Sequence, residues 1–409
     1  MAIELETSPE DMGMSSAHLE HLTRHMHAYV DDGRLPGTYC LIARRNKIVY
    51  LDTYGRRDIE NDLPVETDTI YRFFSMSKPI TSIAVMQLCE QGRVKLTDPV
   101  EKYIPSFADM QVFEGGSTTA PRLRPAKTKM NIHHLLTHMS GLTYGFMNAH
   151  SVDAIYRANG FDFGVRHEGL GATIDSLASL PLMCDPGAEW NYSHSTDVLG
   201  RVVEVISGQP FGEYLQDHVL GPLGMIDTAF RVREGESHRL ASNYFPHPRT
   251  NKATLLDAAE TSPFQNEPAW EGGGGGLVST MSDYHRFCLM LMNKGELDGL
   301  RVIGRKTLEF MTSNHLPDGK DLESSGTPLW SETPYTGVGF GLGFSVQIDP
   351  AMTQVVSSPG EYAWGGAAST AFWCDPAEEL HVIFLTQLLP SSHHPIRPEL
   401  KQLIYGALC

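Results

Sequence analysis

The 409-residue chain has no Cys-x-x-Cys spacing, no uninterrupted apolar run long enough to cross a bilayer, and little positive charge for its size. Its 32 Lys and Arg stand against 49 Asp and Glu, a formal net charge of -17. Such a surface repels phosphate backbones and anionic lipid, so neither nucleic acid nor membrane is an expected partner. The six cysteines (Cys40, Cys89, Cys184, Cys288, Cys374 and Cys409) are scattered through segments that read as buried strands or helices, and free thiols in a reducing compartment are the expectation. The opening stretch MAIELETSPEDMGMSS is acidic where a signal peptide is basic and is followed by no apolar h-region, so the sequence reads as cytoplasmic. No metal is expected. His134 and His138 in NIHHLLTHMSG are spaced as one helical turn, but the glutamate of H-E-x-x-H is missing and no third ligand is evident. The glycine run Gly272–Gly276 lacks a following G-K-[ST], which leaves a backbone bend or close approach as its role rather than phosphate binding. The G-x-S-x-G elbow of the common α/β-hydrolases is also absent. No cofactor is implied.

The chain is 41% hydrophobic, enough to fill a sizeable core. GTYCLIARRNKIVYLDTYG holds two apolar runs around a polar RRNK and predicts a β-hairpin near the N-terminus. SKPITSIAVMQLCEQG predicts a helix with Ile80, Ile83 and Met86 or Leu88 on one face, Pro79 in its first turn and a stop at Gly92. Helical patterns then recur in TIDSLASL, STDVLGRVVEVISG and FGEYLQDHVLGPLG, while GFGLGFSVQID, TQVVSS, TAFWCD and LHVIFLTQ return to strand before a closing helix from Pro395 to Leu408. This order predicts an α/β body made from residues 1–70 and 270–409 and a mainly helical body over 71–269, with the active site in the cleft between them.

Of all the lysines, only Lys78 has a serine three positions before it, Ser75 in SMSK. A serine hydroxyl needs a partner to take its proton as it attacks, and positions i and i+3 of a helix share a face. An exposed lysine stays protonated. Burial must free it to accept a proton, or its charge must make a neighbouring tyrosine a better base. Tyr192, in a polar stretch just ahead of an amphipathic helix, is the candidate.

Together SMSK, HHLLTHMSGLTYG, DPGAEWNYSHSTDVLGRVVE, GPLGMIDTAF, GGGGGLVSTMSDYHRF and WGGAAST resemble, in order and across nearly the whole chain, the serine β-lactamase and penicillin-binding-protein superfamily. The resemblance is closest to the class C-like esterases called family VIII carboxylesterases. It implies an antiparallel sheet flanked by helices with a helical second domain. It also implies Ser75 as the nucleophile, Lys78 as the residue that orients it and Tyr192 as general base and acid. The oxyanion hole would be the backbone N–H groups of Ser75 and of Ala367, on the strand after WGG. Two departures stand out. Trp364 occupies the lysine position of the K-T-G motif, and His194 replaces an asparagine two residues after the tyrosine. The loss of the cation favours uncharged acyl esters over β-lactams and peptidoglycan stems. Trp364, Gly365, Gly366, Tyr144, His194, Phe74 and Trp190 are the expected substrate-binding residues, with a packing role as the alternative for Tyr144, an exposed loop histidine as the alternative for His194 and core filling as the alternative for Phe74 and Trp190. The expectation is a serine carboxylesterase acting on a small-molecule ester. The alternatives are a β-lactamase, D-amino-acid peptidase or acyltransferase of the same superfamily, and a non-catalytic scaffold.

Overall fold

A computed structural model describes residues 3–162, 169–326, 330 and 333–409. The two apolar runs of the N-terminal segment form strands β1 (Gly37–Arg44) and β2 (Lys47–Asp58). They turn at Arg45 and Asn46, both in the left-handed region at φ 50° and 62°, the handedness that matches strand twist. A short β3 (Leu63–Pro64) follows, and five more strands come from the C-terminal part: β4 (Val338–Phe340), β5 (Ser345–Gln347), β6 (Tyr362–Gly365), β7 (Ala371–Asp375) and β8 (Leu380–Leu385). They form one antiparallel sheet in the order β4-β5-β6-β7-β8-β1-β2-β3. The N-terminal strand therefore lies beside the C-terminal one, with Leu41 opposite both Leu51 and Ile383.

Alternation along β1 sends Tyr39, Leu41 and Ala43 to the inner core and Cys40 and Ile42 to a second, outer core. The outer core is completed by α1 (Ser16–Asp31), through Leu19, Leu22 and Met26, and by the C-terminal helix, through Leu400 and Ile404. Ser15 caps α1 by accepting from the His18 N–H. On the inner face lies α2 (Ser77–Glu90). The predicted face of Ile80, Ile83, Met86 and Leu88 packs into the inner core, and every other residue from Ser77 to Leu88 is buried as well, because neighbours surround the helix on all sides.

TQVVSS does not join the sheet. Pro350–Thr353 is one helical turn capped by the Asp349 carboxylate; Gln354, at φ 56°, ends it and leaves Val355 and Val356 in irregular backbone. The middle of the chain carries α3 (Ser195–Ser207) and shorter helices, but it also holds hairpins at Gln111–Gly116 with Pro121–Pro125 and at Asn243–Pro246 with Ala253–Asp257. Short strands Ile70–Arg72 and Val278–Thr280 pair with each other and bring the chain before Ser75 against the chain after the glycine run. The second of these leads directly into α4 (Met281–Met292), whose N-cap Thr280 accepts from the Asp283 N–H. Arg72 is fully buried and ion-paired with Asp257 at 2.6 Å.

Cys40, Cys89, Cys288 and Cys374 lie in strands or helices as expected, whereas Cys184 and the exposed Cys409 lie outside both; all six are free thiols. No helix among the described residues is long and apolar enough to cross a membrane.

Several histidines are packed as neutral rings. Burial, first of all, pulls His285 and His133 down to about 4, and it holds His381 well below the ordinary 6.5. His285 Nδ1 lies 2.9 Å from His381 Nε2, a contact in which one ring donates and the other accepts. Because these folded-state values are depressed, the unfolded chain binds more protons as the pH falls below the unfolded value of 6.5. The stability they contribute is present above that value and is lost as the pH descends toward the folded values. Urea midpoints should therefore fall between about pH 7 and about pH 5, before most carboxylates titrate. A constant midpoint over that range would show that the buried rings find compensation when charged.

Candidate active site

Strand pairing at Ile70–Arg72 delivers the chain into a single 3-10 turn, Phe74–Met76, which runs into α2. Pro79 falls in the first turn of α2, where no N–H has a helical acceptor. Phe74 has φ 44°, an uncommon conformation for an aromatic residue, and this strain sits immediately before Ser75. The turn is braced by the Phe73 N–H donating to Leu277 and by the Phe73 carbonyl accepting from the Met76 N–H.

Two groups meet at Ser75, one from the next turn of the same segment and one from far along the chain. The Tyr192 hydroxyl lies 2.6 Å from Ser75 Oγ, and Lys78 Nζ donates to the same oxygen at 3.2 Å. Lys78 is 1% exposed, Tyr192 is fully buried and Ser75 retains 7% exposure. The Lys78 ammonium lies 4.5 Å from the Tyr192 ring centroid and 5.3 Å from that of Tyr144. It also donates to the Gly274 carbonyl at 2.7 Å. The glycine run thus serves as a close approach of backbone. A Cβ at Gly273 would lie 2.8 Å from the Thr196 carbonyl oxygen, and one at Gly274 would lie 2.9 Å from Asp197 Oδ1.

Behind Gly274 sits a buried pair. Asp197, in the first turn of α3, accepts the Gly274 N–H at 2.7 Å through Oδ1 and contacts His194 Nδ1 at 2.8 Å through Oδ2. His194 is therefore neither an exposed loop residue nor a free wall of the cleft. Its side chain is 6% exposed and its ring packs edge-on against Tyr144 at 4.4 Å, so it supports the site from behind. The i,i+3 spacing of His194 and Asp197 is the sequence signal for this pair.

The other predicted residues divide. Tyr144 borders the triad, with its ring 5.3 Å from Tyr192, and Trp364 lies 5.5 Å from Tyr192. Phe74 is half-buried and faces Phe264 at 6.2 Å. Trp190 is a correction. It is fully buried, stacked behind Tyr192 and packed on His138 and Phe340, so it fills core and does not line a pocket. His138 is fully enclosed as well. Burial and then the Lys78 charge hold it well below its ordinary value, and its Nδ1 meets Ser193 Oγ at 3.2 Å. The predicted helical spacing of His134 and His138 is not realised, because the helix ends at Leu136 and His138 has φ 56°. Among the described residues, no three His, Cys, Asp or Glu gather into a group that could hold a metal.

Ala367 is a second correction. β6 ends at Gly365, and Ala367 lies in the turn that follows, not on the strand. Gly366, just before it, abuts the serine turn: a Cβ there would lie 2.3 Å from the Phe73 carbonyl oxygen and 2.3 Å from Thr370 Oγ1. Sequence reasoning missed Gly274, Asp197, Phe146 and Trp330. Trp330 packs against Phe146 at 5.6 Å and Tyr192 at 5.9 Å, and nothing in its local sequence signals this.

Gly366→Ala should push the end of β6 away from Phe73 and Ser75. A displacement of about 1 Å at a reacting centre costs about a hundredfold in rate. The variant is expected to retain its fold by circular dichroism and to lose about that factor in reactivity at Ser75. Unchanged reactivity would show that this contact does not set the geometry.

Comparisons with known proteins identify the family and the fold. The Beta-lactamase family model matches residues 22–405. Protein Rv1367c of Mycobacterium tuberculosis is 34% identical over 364 residues, covering 88% of each chain. Esterase EstB of Burkholderia gladioli is 31% identical over 369 residues, covering 86% of each. The structure of EstCE1, described as a hydrolase with promiscuous acyltransferase activity, superposes with a TM-score of 0.77 at 24% identity, over 96% of this chain and 98% of that one. With a matching family model along nearly its whole length and an antiparallel sheet of the same architecture, the chain belongs to the β-lactamase family, within the superfamily of serine β-lactamase-fold hydrolases and acyltransferases.

Proposed function

We propose that the protein is a serine carboxylesterase that hydrolyses uncharged esters of short-to-medium acyl chains through an acyl-enzyme on Ser75. The observation that carries this reading is the convergence of Tyr192 at 2.6 Å and Lys78 at 3.2 Å on one serine oxygen. Ser75 Oγ attacks the ester carbonyl carbon and its proton passes to the Tyr192 oxygen. The ammonium of Lys78, held over the phenol ring, stabilises the phenolate that accepts it. The carbonyl oxygen, now negative, is received by the N–H groups of Ser75 and Ala367. Collapse of the tetrahedral intermediate breaks the bond to the alkoxy group, which leaves as the alcohol with the proton from Tyr192. Water then attacks the acyl-enzyme, giving its proton to Tyr192, and the acid departs as Ser75 recovers that proton.

The preference for neutral esters rests on the walls. Tyr144 stacks on Phe146 at 4.7 Å, and Trp364 packs edge-on to Phe340 at 5.3 Å. Trp364 stands where β-lactamases and transpeptidases place a substrate-binding lysine, so the strand offers apolar area and an indole N–H instead of a charge. The 31% identity to an esterase supports the same choice.

Short p-nitrophenyl esters should release p-nitrophenol in the presence of the protein, with release abolished in Ser75→Ala, while a chromogenic cephalosporin is turned over little. Lactam turnover far above ester turnover would assign the protein to β-lactam chemistry instead. Serine-independent background on both would mark a scaffold. Tyr192→Phe removes only the proton-transfer oxygen, so it should fold normally and lose about 10²–10⁴-fold in kcat. Near-normal kcat in that variant would take Tyr192 out of the mechanism.

A further inference from the structure

The turn that carries Ala367 is held by a cation from another element. Gly366 donates its N–H to the Thr370 carbonyl at 2.9 Å, and the Gly366 carbonyl accepts from the Ser369 N–H at 3.1 Å, closing the turn on itself. Ser369 has φ 68°, an uncommon conformation for a non-glycine residue, and its hydroxyl donates to the Leu388 carbonyl at 2.7 Å. The Leu388 N–H in turn donates to the Ala368 carbonyl at 3.1 Å. From the side of the C-terminal helix α5 (Ile396–Tyr405), Arg397 Nη2 reaches both the Gly366 carbonyl, at 3.1 Å, and the Thr370 carbonyl, at 3.0 Å. Gly365 is required for that approach, since a Cβ there would lie 2.3 Å from the same nitrogen.

The Gly366 carbonyl and the Ala367 N–H belong to one peptide group. Because that group is planar and conjugated, a guanidinium on its oxygen draws electron density from its nitrogen and fixes the direction in which the N–H points. We propose that Arg397 is a positioning residue of the oxyanion hole: it holds and polarises the Gly366–Ala367 peptide so that the Ala367 N–H is aimed, and strengthened, for the developing oxyanion. This rests on the acyl-enzyme reading of Ser75 given above and adds to it a residue outside the family of motifs that identified the site. The gain falls on the transition state, because a carbonyl oxygen accepts weakly before attack and strongly once it is negative. Fixed donors of this kind need no reorganisation as charge develops.

The test compares p-nitrophenyl acetate with its thionoester counterpart, whose sulfur is a poor match for hydrogen-bond donors set to receive oxygen. Loss of an entire oxyanion donor costs about 10²–10³ in kcat, so weakening one from behind is expected to lower kcat for the oxygen ester by about 10- to 100-fold in Arg397→Met. KM should change little, the thionoester should lose much less, and the oxygen-to-sulfur rate ratio should therefore fall. Arg397→Lys keeps the charge without the planar fork and should recover part of that ratio, and it serves as the test variant if Arg397→Met does not fold. Equal losses on both esters, or an unchanged ratio in both variants, would reduce Arg397 to a structural brace and overturn the proposal. Labelling of the unsubstituted protein by a fluorophosphonate separates this from the functional reading. Labelling at Ser75 with an unchanged ratio overturns the role of Arg397 alone, whereas absence of labelling at Ser75 overturns both.

Discussion

A lysine ammonium held almost entirely out of water is the constraint around which this molecule is organised. Lys78 is 1% exposed, and a charge so placed costs several kcal/mol unless the surroundings replace its hydration. The replacement is assembled from the neighbouring Ser75 hydroxyl and from remote parts of the chain: the Gly274 carbonyl and the faces of Tyr192 and Tyr144. Each contributor is fixed in turn by another. Gly274 is anchored through its N–H to Asp197, Asp197 to His194, and the His194 ring to Tyr144. Solvating the cation and assembling the site are therefore one event. Close packing also accounts for glycine at positions 273, 274 and 276, since Cβ atoms there would collide with Thr196, Asp197 and Phe230.

The site is asymmetric in charge. Positive charge is concentrated beneath Ser75, at Lys78, and the guanidinium of Arg397 stands behind the turn that follows β6. The rings packed around Tyr192 are aromatic and uncharged, Tyr144, Trp330 and Trp364 among them. Charges placed at the back stabilise electron density as it builds on the reacting atoms, whereas a charge on the wall would select for an anionic ligand before any reaction. Under the esterase reading this division suits a neutral substrate, because binding need not compete with the hydration of a carboxylate.

Much of the architecture was legible in local sequence. The N-terminal hairpin, α2 with Pro79 in its first turn, the amphipathic α3 after Tyr192 and the closing helix all carry periodicity or capping that chemistry dictates within a few residues. Errors arose where a short signal competed with a stronger one. TQVVSS looked β-prone but follows an Asp-Pro start that nucleates a helical turn. The even burial of α2 was hidden because periodicity reports the apolar face of a helix and cannot tell what covers the other. Trp190 and His194 flank Tyr192 in sequence, yet one falls into the core behind it and the other beneath Tyr144, since adjacent residues at a helix entrance point in different directions.

The sequence by itself determined which chemical groups exist and where each stands relative to its near neighbours: a hydroxyl and an amine one turn apart, a phenol before a helix, a tryptophan in place of a lysine. Only the tertiary structure decided that the phenol reaches the hydroxyl, that a glycine carbonyl nearly two hundred residues later receives the amine, and that an arginine from the last helix grips the peptide after β6. The reason is physical. Spacing along a helix or strand follows from backbone geometry, whereas contacts between distant segments follow from how the sheet of both termini and the buried α2 pack, which is a property of the whole core and is not encoded by any single stretch of it.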